Sequence, residues 1–287
     1  MRVVDAQLHE PPISLGWEEA GEALRWDILL EVQLAYMDAV GVDRAVLHPL
    51  DLAWGEYAVE RYPKRFMVVP MVGSAAAEQG SIDPRAVPIE DFVSEKSKQP
   101  GLAGIRIVRS EGPDWLDEFG PAIAACAQSK LPLFVYTTGD LAAPATIAEQ
   151  NPHLAVIIDH LGLPRGLRRD DPPFRQLPEL LNLAKYDNIA VKLSGAPTLS
   201  TRTYPYEDLW PHLDLIVDTF GPQRLMWGTD ISRIMGSVGF HYSASQARHH
   251  TYAEALLYLR EAKSLSPTAK RWILGDTAAS LLRWPSD

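Results

Sequence analysis

An α/β fold, a (β/α)8 barrel occupying residues 1–287 as one domain, is what this sequence predicts, and three observations predict it. Short strand-like runs recur eight times along the whole length, each followed by a helical pattern or a loop leading into one. Most of these runs are continuously apolar, as parallel strands covered on both faces should be. No flexible linker, low-complexity segment or charge block interrupts the series. An open doubly wound sheet is the alternative, but it normally carries a glycine-rich first turn, which this chain lacks.

Taken in order, the strands are expected at Arg2–Ala6, Arg44–His48, Phe66–Met71, Gly104–Val108, Leu131–Tyr136, Ala155–His160, Ile189–Ser194 and Arg224–Asp230. Amphipathic helices are expected between them at Asp27–Val40, Trp115–Gln128, Leu177–Lys185, Pro211–Phe220 and Thr251–Ala262. Near the end, Ser266 can cap a helix that starts at Pro267, with Trp272, Leu274, Leu281 and Leu282 packing it on the barrel. Two long loops, after the sixth and eighth strands, would cover the C-terminal mouth where barrel enzymes build their sites.

Composition narrows the ligand class. A net charge of -10 argues against nucleic acid or an anionic membrane as partner, which leaves small molecules; homo-oligomerisation stays open. Apolar residues make up 46% of the chain, yet no run approaches a membrane span, and no leader pattern opens the sequence. The lone Cys126 forbids an intramolecular disulfide, fits a cytoplasmic location and is read as a small buried helix residue. Gly-x-Ser-x-Gly, Gly-x-x-x-x-Gly-Lys and Cys-x-x-Cys motifs are absent.

The polar residues carry the functional signal. His9, His48, His160 and Asp230 fall at or just beyond C-terminal strand ends, and Arg106, Tyr136 and Lys192 lie near theirs. Singly, each histidine is more often structural than catalytic. Several converging on one mouth reverse that expectation, because a buried polar cluster is costly to maintain. His241, His249 and His250 read as surface or loop residues, and Arg165, Arg168, Arg169 and Arg175 as a solvated loop paired with Asp170 and Asp171.

The segments "VVDAQLH", "GIRIV", "AVIIDHLGLP", "IAVKLSG", "RLMWGTD" and "ILGDTAASLL" resemble the amidohydrolase superfamily, from Val3 to Leu282. More narrowly they resemble the branch holding 2-pyrone-4,6-dicarboxylate lactonase and the sugar-lactone and muconolactone hydrolases. The resemblance implies a distorted (β/α)8 barrel and hydrolytic opening of a lactone or similar bond in a small carboxylated substrate. It implies metal ligands at His9, His160 and Asp230, with Gln7 standing where a first-strand histidine would be and Tyr136 where relatives often place a ligand. A neutral amide is a poor zinc ligand and a protonated tyrosine poorer, so the expectation is that no metal is required, with one Zn2+ or Mn2+ as the alternative.

On that reading Asp230 is the base that takes a proton from water, while His9, His160 and the Gln7 amide donate to the carbonyl oxygen. Arg106 would clamp a substrate carboxylate; Tyr136, His48 and Lys192 would line the pocket, Lys192 alternatively being paired within the barrel. Two other readings compete. One is a metal-dependent decarboxylase or hydratase of an aromatic or unsaturated acid; the other is a barrel that has lost catalysis and only binds.

Overall fold

A computed structural model describes residues 1–11, 21–73, 80–109, 115–137, 139–162, 174–231 and 250–284. Arg165, Arg168, Arg169, Asp170, Asp171, His241 and His249 therefore lie outside the described residues.

Nine strands are described: β1 (Val4–Leu8), β2 (Arg44–Leu47), β3 (Phe66–Val68), β4 (Met71–Val72), β5 (Ile105–Val108), β6 (Leu133–Tyr136), β7 (Val156–Ile158), β8 (Ile189–Lys192) and β9 (Leu225–Met226). Every pairing is parallel, in the order β1-β2-β3 and then β4 through β9. Strands β3 and β4 are one barrel position interrupted at Val69-Pro70, because proline has no N–H to give the ladder. The interruption is bridged by neighbours: Ala103 N donates to Val68 O, and Arg106 N to Pro70 O. The ring is joined at its other seam as well, where Ala6 N donates to Trp227 O and Asp230 N to Gln7 O. Eight barrel positions result, joined by irregular hydrogen bonding at the two seams, and this is the distorted (β/α)8 barrel expected.

Period-two alternation sorts the strand residues into two cores. Ile105, Ile107, Leu133, Val135, Val156, Ile158, Ile189, Val191 and Leu225 pack outward under the helices. Val4, Ala6, Val46, Met67, Val69, Phe134, Ile157, Ala190 and Met226 form a separate interior cluster, closed from below by Ala278, Leu282 and Trp284. The floor is therefore apolar and plugged. Only the opposite end of the barrel remains for polar chemistry.

The helices follow the sequence with local changes. The first runs Glu22–Val40, starting before Asp27, and ends at Gly41 in the left-handed conformation. Trp115–Phe119 is a 3-10 turn, and the α-helix begins at Gly120 with Pro121 in its first turn, where a missing N–H costs nothing. Thr251 caps Tyr252–Arg260 through a full capping box with Glu254, and Ser266 accepts from Ala269 N ahead of Pro267–Arg271. That last helix passes through a π-turn at Trp272–Asp276, and the carbonyl of Ile273 accepts from Trp227 N at 2.8 Å. Glycine is required within it, since a Cβ at Gly275 would lie 2.2 Å from Arg2 O. Cys126 is fully buried, and burial pushes its thiol up to about 12, so it is no nucleophile.

Asp5 ties the first strand to the last. Its Oδ1 accepts from Gln7 N (3.0 Å) and Thr229 N (2.9 Å), and its Oδ2 accepts from Thr229 Oγ1 (2.6 Å). Burial outweighs those bonds and pushes its carboxyl from 3.8 up to about 6. The folded state therefore holds this proton more tightly than the unfolded chain does. That contribution to stability is complete below about pH 4 and is lost as pH rises through 6. Asp5→Asn keeps an acceptor for both N–H groups and removes the titration. In urea unfolding, the variant should gain on the native chain by on the order of 2 to 3 kcal/mol between pH 4 and pH 7.

Candidate active site

Eight side chains were expected at the mouth, and all eight are buried there: Gln7, His9, His48, Arg106, Tyr136, His160, Lys192 and Asp230. Strand alternation delivers several of them. Arg106 lies between outward Ile105 and Ile107, Tyr136 follows outward Val135, and Lys192 follows outward Val191. The first strand needs an irregularity. Its register with β2 slips between Asp5 and Leu8, and Gln7 reaches the barrel interior although Ala6 beside it faces the apolar floor.

Two expected strand ends are not strands. Strand β7 stops at Ile158, and Asp159–Gly162 forms a tight turn with His160 at φ 50° and Leu161 at φ 61°. After β9, Asp230 has φ 59°. Left-handed backbone at a histidine and an aspartate is uncommon and costs on the order of 1 to 3 kcal/mol each. Both residues are held there by the surrounding structure and meet the mouth because of it.

The turn also brings in Asp159, which the sequence reading did not select. Its Oδ2 accepts from Arg106 Nε at 2.6 Å, and its Oδ1 lies 2.8 Å from Lys192 Nζ. Burial works to raise its pKa, but Lys192 and Arg106 prevail and hold the carboxyl well below the usual range. Arg106, expected to clamp a substrate carboxylate, thus gives its Nε edge to Asp159; it also places Nη1 3.1 Å from Met71 Sδ and its guanidinium 4.8 Å from the centre of the Tyr136 ring. Lys192 is fully buried and contacts Gln7 Oε1 (2.6 Å) and His48 Nε2 (3.0 Å) besides Asp159, so pairing within the barrel describes it better than substrate contact. Burial pulls its ammonium down to about 8, against the pull of Asp159. His48 is held well below its ordinary value by burial and by the charge of Lys192, so it is neutral.

Toward the rim, Gln7 Nε2 stands 3.3 Å from His9 Nε2, and the same His9 nitrogen lies 3.2 Å from Asp230 Oδ1. Gln7 was expected to donate to a substrate carbonyl; instead each end of its amide is engaged by a barrel residue. His160 packs edge-on against Tyr136, with Nδ1 2.8 Å from Ser194 Oγ, a second residue the sequence reading missed. His250, expected in a loop, is in one, but it is buried 6.3 Å from the Tyr206 ring. Gly228 lets the first and eighth positions close on each other, since a Cβ there would lie 3.0 Å from Gln7 Cβ and 3.3 Å from Ser194 Cβ. Gly228→Ala should destabilise by about 1 to 3 kcal/mol and lower activity at temperatures where the variant remains folded, measured by thermal unfolding beside an assay.

The donor set bears on a metal. Among the described residues, no three histidine, cysteine, aspartate or glutamate side chains converge closely enough to hold one. At the first strand a divalent cation would meet a neutral amide whose oxygen already accepts from an ammonium at 2.6 Å. That corner does not fit a metal ion.

A family profile described as amidohydrolase matches residues 4–284. The L-fucono-1,5-lactonase of Burkholderia ambifaria is 30% identical over 174 residues, 57% of this chain and 58% of that relative. The 4-sulfomuconolactone hydrolase of Hydrogenophaga intermedia is 26% identical over 216 residues, 71% of this chain and 65% of the relative. This chain thus spans 58% and 65% of the length of these curated relatives. A zinc-bound amidohydrolase structure from Burkholderia multivorans superposes with a TM-score of 0.73 at 20% identity, covering 99% of this chain and all of that one, which shows the shared fold. No described helix is long and apolar enough to cross a membrane.

Proposed function

The chain belongs to the amidohydrolase family, and from that membership and the mouth of its barrel we propose that it opens a lactone of a small organic acid by adding water, without a resident metal. The observation that carries the reading is the strained placement of Asp230, its Oδ1 set 3.2 Å from His9 Nε2 at the rim. Backbone strain of this kind is retained where the side chain it aims has work to do. The two curated relatives, named for lactone substrates, support the same reaction class.

In this reaction Asp230 accepts a proton from water as the water oxygen attacks the lactone carbonyl carbon. The carbon becomes tetrahedral and its oxygen takes up negative charge. His160 and Tyr136 are the proposed donors to that oxygen. In this proposal Ser194 Oγ, 2.8 Å from Nδ1, is the donor to it, so that His160 carries its proton on Nε2 and can donate it. Beneath them Arg106 and Lys192 share the carboxylate of Asp159, and once Asp230 has taken its proton their remaining positive charge balances the oxyanion. The ring C–O bond then breaks, and Asp230 returns its proton to the leaving alkoxide, giving a hydroxy acid. His9 orients Asp230, and His48 keeps Lys192 in place as a neutral acceptor.

A panel of γ- and δ-lactones, with and without a carboxyl group, tests the proposal when assayed alongside metal analysis of the purified protein. Turnover that persists after chelation is expected. Turnover confined to metal-loaded protein, or confined to decarboxylation of aromatic acids, would overturn it.

A further inference from the structure

Four barrel positions direct a side chain at one nitrogen atom carried by a fifth. Lys192, on β8, is wholly buried; its Nζ donates to Gln7 Oε1 of β1 at 2.6 Å and to His48 Nε2, just past β2, at 3.0 Å. It forms an ion pair at 2.8 Å with Asp159 Oδ1, just past β7. From a further side the Phe134 ring of β6 presents its face, with the ring centre 4.4 Å from Nζ. An amide oxygen, an imidazole nitrogen, a carboxylate oxygen and an aromatic face are four ways of holding a cation. Here all four hold the same ammonium, and through Phe134 it rests on the apolar plug of the barrel.

These surroundings suit one kind of cation. Asp159 brings a single negative charge and already shares it with Arg106, whose Nε meets Oδ2 at 2.6 Å. A doubly charged ion in the place of Nζ would stand beside that guanidinium with only the shared carboxylate in contact to balance it. An ammonium carries one charge, and it has N–H groups to give to the amide oxygen and the imidazole nitrogen. The preference is therefore for a protonated amine.

We propose that the Lys192 ammonium is the fixed cation of this mouth: it fills a cage formed by Gln7, His48, Asp159 and Phe134, keeps a divalent ion out of it, and supplies positive charge beneath the substrate. Its use in catalysis rests on the hydrolytic reading above; the cage itself does not. What the cage recognises is the protonated amine, so the covalent tether to the strand is dispensable.

Lys192→Ala tests this by removing the ammonium with its stem and opening the cage to cations from solution. Three probes separate charge from hydrogen bonding: n-propylammonium replaces the lost atoms, tetramethylammonium has the charge without an N–H, and Zn2+ has twice the charge. Calorimetric titration at pH 7 should show one n-propylammonium bound per variant chain and none per native chain, with tetramethylammonium and Zn2+ at least about 10-fold weaker. The substitution should lower kcat for lactone opening by about 10²-fold, and n-propylammonium alone should recover about 10-fold of it. Absence of n-propylammonium binding, equal rescue by tetramethylammonium, or tighter binding of Zn2+ overturns the cage. Native kcat in the unliganded variant overturns its catalytic use. If Lys192→Ala folds neither with nor without n-propylammonium, Lys192→Met keeps the length without the charge: a loss in kcat of about 10²-fold with KM for an uncharged lactone little changed is then expected, and native kcat overturns the proposal. Binding of n-propylammonium to Lys192→Ala, where the native chain opens no lactone, upholds the cage and overturns the hydrolytic reading instead.

Discussion

Asp159→Ala is expected to destabilise the fold by about 3 to 5 kcal/mol, the range for removing one partner of a buried charge group. Asp159 is nearly inaccessible, and it is the carboxylate between two cations, Arg106 Nε at 2.6 Å and Lys192 Nζ at 2.8 Å, both equally shielded from water. Alanine leaves those cations facing each other in a low-dielectric interior. Lys192 then loses the neighbour that opposes its desolvation and gives up its proton more readily, whereas Arg106 cannot discharge. Asp159→Asn separates charge from shape: it fills the same volume, keeps one acceptor oxygen and should recover only part of the loss. The pH dependence has a definite sign. The folded-state pKa of Asp159 lies well below 3.8, so its stabilisation is present above that value and is lost as pH falls toward the folded-state pKa. Denaturant unfolding at pH 7 and pH 3 should therefore show a smaller difference between native and Asp159→Ala protein at the lower pH, and an equal difference at both would mean that packing, rather than charge, sets the cost.

The contrast between Asp159 and His160 also shows where strand periodicity stops working. Neighbouring residues on a strand point to opposite faces, so alternation from inward Ile157 selects Asp159 and points His160 outward. The sequence reading chose His160 on the strength of its motif and passed over Asp159 within an apolar run. The structure uses both, and it does so by ending the strand at Ile158 and turning His160 left-handed, a conformation that hydrophobic patterning does not encode. Gln7 was legible as a departure from a histidine pair, but its approach to the interior depends on the slipped register of β1. For Arg106, Tyr136 and Lys192, plain alternation along regularly paired strands points the side chain inward, and His48 continues the alternation one residue past the end of β2. The same contrast holds for the fold as a whole: eight barrel positions follow from apolar runs, whereas the break at Val69-Pro70 and the seam from Ala6 to Trp227 are made by individual backbone hydrogen bonds.

Asp230→Asn is expected to lower kcat/KM for lactone opening by about 10³-fold while leaving the unfolding temperature nearly unchanged. The substitution keeps the size of the side chain, and asparagine tolerates the left-handed backbone at φ 59° as well as aspartate does. Asp230 N still donates to Gln7 O, so the seam of the barrel persists. What is lost is proton affinity, because an amide cannot take a hydrogen from water or hand one to a departing alkoxide. Residual turnover should come from the donors and the positive charge below them, which polarise the carbonyl without needing Asp230. His9 Nε2 still meets an amide oxygen at this position, so binding should survive with KM altered only a few-fold. Asp230→Ala is the complementary variant, since it opens space beside His9 where a small carboxylate such as formate can sit. Recovery of turnover on adding formate to the alanine variant, with none in the asparagine variant, would show that the missing function is a base at that position. Wild-type kcat/KM in Asp230→Asn would remove Asp230 from the chemistry and leave His160 as the next side chain to test.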